Sequence, residues 1–205
     1  MRRIFSGLHK RACIVALLSL LLGGCLVPDK YQATLSLSNH AYSFDYIGEM
    51  HMMTAYSREF AAKDPKELAR KVVAEFERVI RERPQGVIET RLLSPKVFQT
   101  KFLYVSPYAL PEASGLFRIT VEGNILTVTS RPISAQERET LRLNAISSRG
   151  KLCIKAFGTV LASNAHRAAT MLDRCNIWEL DNLDEPVRLV VQFSHPIPLD
   201  GKKVQ

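Results

Sequence analysis

Glycine and proline are scarce, ten of each in 205 residues, and neither follows a period. That excludes collagen-like and low-complexity classes. Cysteine is scarcer still: four residues, no C-x-x-C pair, and no cysteine–histidine clustering of the kind zinc requires. The chain contains no G-x-S-x-G, H-E-x-x-H, phosphate-loop or G-x-G-x-x-G motif. No polybasic block marks a nucleic-acid surface. What is present is 46% apolar residues with aromatics spread along the whole length. A disordered chain lacks that composition. The length suffices for one substantial core or two small ones.

Charge and apolarity are unevenly placed at the start. The 28 basic and 20 acidic residues give +8, but Arg2, Arg3, Lys10 and Arg11 crowd the first eleven positions with no acid beside them. Without residues 1–24 the balance is 24 bases against 20 acids, too small a surplus to imply nucleic acid. An uncharged apolar run of eleven residues follows, Ala12 to Leu22. A bilayer-spanning helix needs about 20. A basic start and a short apolar run are the n- and h-regions of a secretory leader.

Directly after this run stands Leu22-Gly23-Gly24-Cys25. The stretch resembles the lipobox of bacterial prolipoproteins: an aliphatic residue, two small residues and a cysteine. The resemblance implies a signal peptide over 1–24, with Leu22, Gly23 and Gly24 as the signal-peptidase recognition residues. It also implies Cys25 as the lipidation site, its thiol carrying a diacylglyceryl thioether and its freed amine a third acyl chain. At ~0.8 kcal/mol per buried methylene, two or more chains hold a protein stably on a membrane where one does not. Leu26, not Asp, follows Cys25. For a Gram-negative source the resemblance then implies export to the periplasmic face of the outer membrane. Residues 25–30 are expected to be the lipidated N-terminus and a short tether, in which the five residues Leu26 to Lys30 reach roughly 17 Å at ~3.4 Å per residue.

Cys153 and Cys175 remain as an even pair in a compartment that permits disulfides. A bridge is the expectation, contributing roughly 3 kcal/mol in the chain-entropy model. Two buried thiols or a metal site are the alternatives.

Alternation over Tyr31–Ser38 and Tyr42–Met53 predicts a β-hairpin, and Thr54–Ala62 could be helical. Asp64-Pro65-Lys66-Glu67 is a helix start, with an N-cap Asp and Pro at the first helical position. Leu68, Val72, Phe76, Val79 and Ile80 give that helix its apolar stripe. Strands are expected at 86–93, 97–106, 116–121, 125–130, 151–161, 177–180 and 187–193, with a capping box at Ser134-Ala135-Gln136-Glu137 opening a second helix. Grouped hairpin strands separated by two helices predict an α+β fold with a mainly antiparallel sheet. Residues 31–195 are expected to form a single domain and 196–205 a flexible tail.

Met50-His51-Met52-Met53 offers soft and borderline ligands suited to Cu(I). On a strand, however, Met50 and Met52 point away from His51 and Met53. Core packing by methionine is the bland alternative. None of the histidines of the mature chain, His40, His51, His166 and His195, has a second ligand type at helical or hairpin-turn spacing, so no metal and no cofactor is expected. Asp181, Asp184 and Glu185 fall in a polar turn before Pro186, which lacks the dry site a glycosidase acid needs. The tract Gly158–Trp178 (a strand, the loop Ser163-Asn164-Ala165-His166, then a strand bearing the lone Trp178) is similar in layout to the C-terminal part of LppM-type bacterial lipoproteins. That resemblance implies an α+β extracytoplasmic domain touching lipid or envelope components. The expectation is therefore a non-enzymatic, lipid-anchored envelope protein. Its partners would be the membrane and an envelope lipid, peptidoglycan or protein, and not nucleic acid. An envelope hydrolase with an unrecognised site, or a copper-binding lipoprotein, are the alternatives.

Overall fold

A computed structural model describes residues 26–56, 64–110 and 116–199. The leader, the lipobox and Cys25 lie outside the described residues, as does the 57–63 part of the segment that could be helical.

The first two strands follow from alternation. In β1 (Leu26–Leu37) and β2 (Ala41–Met52), Ala33, Leu35, Leu37, Tyr42, Phe44 and Tyr46 all turn to one face and are buried. The hairpin between them closes at Ser38, whose hydroxyl donates to the Ala41 carbonyl at 2.7 Å. β3 (Val87–Ser94) and β4 (Val97–Pro107) form the next hairpin, and β4 pairs with β2. β5 (Phe117–Glu122) and β6 (Ile125–Ser130) turn through Gly123 at φ 65°, in the left-handed region that favours glycine. Then come β7 (Gly150–Ala156), β8 (Thr159–Ser163), β9 (Cys175–Leu180) and β10 (Arg188–Gln192).

Two sheets result, of six strands in the order β3-β4-β2-β1-β7-β9 and four in the order β5-β6-β10-β8. The pairing of β1 with β7 is parallel and the other strand pairs are antiparallel. With the two α-helices among the described residues, this is the α+β, mainly antiparallel fold that the strand grouping predicts.

The core lies between the two sheets and under α1 (Pro65–Arg81). Asp64 caps α1, accepting from the Lys66 backbone N–H at 2.9 Å, and Pro65 occupies the first turn. Ala69, Phe76 and Ile80 are the residues it buries, with Val72 and Val73 packed alongside. Phe76 meets Phe102 edge-on, with ring centroids 5.5 Å apart. A row of stacked rings runs across the large sheet from Tyr31 to Tyr46, Phe102 and Tyr104, with centroids 5.7, 5.0 and 6.0 Å apart. Each such side chain, once buried, stabilises by about 1.5–3 kcal/mol. α2 (Ala135–Leu143) begins with both halves of its capping box formed. Its Leu141 packs with Val27 and Ile146 in a second, small cluster on the other face of the large sheet.

Three boundaries differ from expectation. Residues expected to form a tether are strand: Leu26 to Lys30 belong to β1, and Leu26 and Val27 are buried. The expected strand 151–161 is two strands in different sheets, broken at Phe157-Gly158. A Cβ on Gly158 would stand 2.5 Å from the Gln192 carbonyl oxygen, so the chain can cross there only as glycine. Finally, of the tail expected over 196–205, the described residues 196–199 are docked through Ile197, which is buried and donates its N–H to the Gly123 carbonyl at 2.9 Å, and residues 200–205 lie outside the described residues.

Candidate functional site

The site is made by a defect in the first hairpin. Leu37 pairs with Tyr42 and Ala33 with Tyr46, a register that extrapolates Asp29 to Met50. Instead Gln32 pairs with Ile47 while Asp29 pairs with Glu49. Lys30 and Tyr31 thus oppose Gly48 alone, which is a β-bulge. Lys30 adopts the left-handed conformation (φ 47°) that such an extra residue requires. Side chains alternate with period two, so one inserted residue exchanges faces. Tyr31, Ala33 and Leu35 point into the core, whereas Val27 and Asp29 point to the opposite face, beside His51 and Glu49.

Tyr31 holds the bulge in place. Two glycines make room for it: a Cβ on Gly48 would fall 2.6 Å from Tyr31 Cβ, and one on Gly150 2.2 Å from the ring. Burial drives the Tyr31 hydroxyl well above the ordinary tyrosine range, with Glu185 adding to the shift. The phenol is therefore neutral.

Asp29 is 5% exposed and its Oδ1 is saturated. It accepts from the Lys30 backbone N–H at 3.0 Å, the Ser147 hydroxyl at 3.0 Å and the Arg149 backbone N–H at 3.1 Å. These bonds pin two left-handed residues, Lys30 and Ser148 (φ 55°), each a backbone state costing roughly 1–2 kcal/mol outside glycine. Oδ2 faces His51 Nε2 at 3.5 Å. His51 is 9% exposed, and Nε2 is buried with no hydrogen bond. The other ring nitrogen, Nδ1, is 2.8 Å from the Tyr56 hydroxyl, on the 3-10 turn Met53–Tyr56. Lys96 Nζ lies 4.5 Å from the centroid of the Tyr56 ring. Burial lowers the His51 pKa below its ordinary value, although Asp29 and Glu49 pull the other way. The imidazole is thus neutral near pH 7. Glu49 completes the group at the solvent side, paired with Lys30 Nζ at 3.1 Å. One ligand atom from each of Asp29, Glu49 and His51 lies within 4.8 Å of the others.

The arrangement does not match a hydrolase relay. Ser147 reaches the carboxylate rather than the imidazole, so the order is hydroxyl–carboxylate–imidazole–phenol. A nucleophile must instead sit on the base. The sequence offers His51 only as a neighbour of methionines; Met50 and Met52 are fully buried on the core face, away from it. The grouping with Asp29 and Glu49 was missed because it depends on the bulge, not on spacing along the chain. The pairing of polar Asp29 and Glu49 at the far end of an otherwise alternating hairpin was the available signal.

The remaining sequence candidates fall elsewhere. Cys153 and Cys175 are joined by a disulfide across β7 and β9, with Cα atoms 5.4 Å apart. Asn164 and Trp178 are bonded to each other: Trp178 Nε1 donates to Asn164 Oδ1 at 3.0 Å, and Asn164 Nδ2 donates to the Pro186 carbonyl at 2.7 Å. They splice β8 to β9 and β10. His166 Nδ1 accepts from the Glu179 backbone N–H. Asp184 is bidentate to Arg138, and Glu185 accepts from the Asp181 backbone N–H, so the acidic turn is tied to its own loop and to α2. Leu22, Gly23, Gly24 and Cys25 lie outside the described residues.

No protein-family model and no curated protein sequence matches the chain. Among solved structures, the NMR structure of the folded domain of Mycobacterium tuberculosis LppM is similar, with a TM-score of 0.42 and 10% identity over 80% of this chain and 88% of that one. It belongs to the family that the Gly158–Trp178 tract resembles, and at this level of likeness it assigns neither a ligand nor an activity.

Proposed function

We propose that the protein is a lipid-anchored, non-enzymatic lipoprotein of the cell envelope that binds an envelope component at the membrane surface. The observation carrying this reading is Leu22-Gly23-Gly24-Cys25 placed one residue before β1. Consecutive Cα atoms are 3.8 Å apart, so acyl chains on Cys25 would hold the start of the large sheet against the lipid with no linker between. For a Gram-negative source, Leu26 after Cys25 favours the periplasmic face of the outer membrane.

The binding surface is the open face of the large sheet, turned away from the core. It displays Ile47, Val87, Leu93 and Leu103, each at least 40% exposed, beside Arg91, Gln99 and Lys101. A shallow depression of about 320 Å³ runs between Ile47, Arg91 and Lys101. Grouped aliphatics edged by charge are the surface expected of an interaction site.

Anchoring is tested by palmitate labelling and detergent phase partition of the wild type and Cys25→Ser. Label and detergent-phase recovery in the wild type only are expected; label retained in Cys25→Ser contradicts the assignment. The binding surface is tested in the unanchored Cys25→Ser chain by sedimentation with envelope membranes. Residual co-sedimentation abolished by Ile47→Asp with Leu103→Asp supports it, and co-sedimentation unaffected by those changes rejects it.

A further inference from the structure

We propose that Asp29, Glu49 and His51 form a binding site for a divalent cation of the zinc–manganese class, the ion joining the start of β1 to the end of β2. The donor set is one imidazole nitrogen and two carboxylates. Imidazole favours zinc and its transition-metal neighbours, and carboxylates favour manganese and harder ions, so the mixture selects a borderline divalent cation over Cu(I).

The spacing is that of ligands around an ion. A charge-assisted hydrogen bond between Asp29 and His51 would measure about 2.7–2.9 Å. Two ligands about 2.0–2.1 Å from a tetrahedral zinc stand roughly 3.4 Å apart. His51 Nε2 and Asp29 Oδ2 are separated by 3.5 Å, and Nε2 makes no hydrogen bond. The surroundings supply what a metal-bound histidine needs: its other nitrogen is held by the Tyr56 hydroxyl at 2.8 Å. The Asp29 carboxylate is likewise oriented by three hydrogen bonds that all fall on Oδ1, leaving Oδ2 for the ion.

Glu49 is the adjustable member. Separations of up to 4.8 Å within the group exceed the about 4.2 Å possible across one zinc ion, so one side chain must close in. The Glu49 side chain is 25% exposed and restrained by its ion pair with Lys30, an interaction worth about 0–1 kcal/mol at a surface. A rotamer change brings it over Asp29 and His51. The fourth position stays open to water.

The test is calorimetric titration of Zn²⁺ into the full chain purified in detergent and stripped with chelator, repeated with Mg²⁺, with Co²⁺ absorption as a second readout. One Zn²⁺ per chain, bound far more tightly than Mg²⁺, is expected. Loss of a supporting residue around a metal typically weakens binding roughly 10–100-fold, so Glu49→Gln and His51→Gln should weaken it about tenfold or more. The surface change His40→Gln should leave it intact. Glu49→Gln, at a partly exposed position, keeps the fold, which its melting temperature in chelator checks. No stoichiometric uptake, or uptake indifferent to both Glu49→Gln and His51→Gln, overturns the site.

Discussion

At the scale of single residues, Tyr31, its Cβ against Gly48 and its ring against Gly150, sets the geometry of the whole polar cluster. Gly150→Ala puts a methyl group into a ring already stacked on Tyr46, and overpacking of this kind costs about 1–3 kcal/mol. Chemical denaturation should show that loss. Gly123→Ala, at a positive φ with open space around it, should lose only about 1 kcal/mol. Equal effects at the two glycines would mean that Tyr31 does not pin the bulge. Glu137 gives a pH test. Burial raises its pKa, but hydrogen bonds from the Ser134 backbone and from Arg131 outweigh that and hold the carboxyl below the ordinary value. A depressed folded pKa means that the unfolded chain binds the proton more readily. The stabilisation is therefore complete above the unfolded value of about 4.3 and is lost as pH falls through the folded one. Between about pH 5 and 3, Glu137→Gln should lose less stability on acidification than the wild type, as measured by urea midpoints.

At the scale of elements, the edge strand β9 depends on its disulfide. Cys153 and Cys175 close a loop over a sequence separation of 22, which in the chain-entropy model contributes about 3 kcal/mol. Thermal unfolding with and without reductant, and of Cys153→Ser with Cys175→Ser, should show a drop of that order. Exchange of the β9 amides should accelerate before that of β2. Unchanged melting would mean that the Trp178–Asn164 bond and sheet pairing alone hold β9. Elements whose signals are local were legible in the sequence: the Asp64 cap and the Ser134 capping box each bring their own hydrogen-bonding chemistry. Non-local features were not. The break at Gly158 is imposed by Gln192 and Val191, distant in sequence, and the parallel pairing of β1 with β7 has no turn to announce it. The candidate site was illegible for the same reason. A one-residue shift in β1, stabilised by Gly48 and Gly150, moves Asp29 from the core face to His51. Nothing within residues 26–37 alone marks that shift.

At the scale of the whole molecule, a single large sheet carries three things in sequence: the residue next to Cys25, the polar cluster four residues beyond Cys25, and the open aliphatic face. Among the described residues no helix is long and apolar enough to cross a membrane. The proposed function stands on covalent anchoring at one sulfur. Intact-mass analysis of the protein purified from native membranes tests this most directly. The expected product begins at Cys25 and carries the mass of a diacylglyceryl group, with or without an N-acyl chain. A product retaining residues 1–24, or one beginning at residue 25 without added lipid mass, would contradict the account.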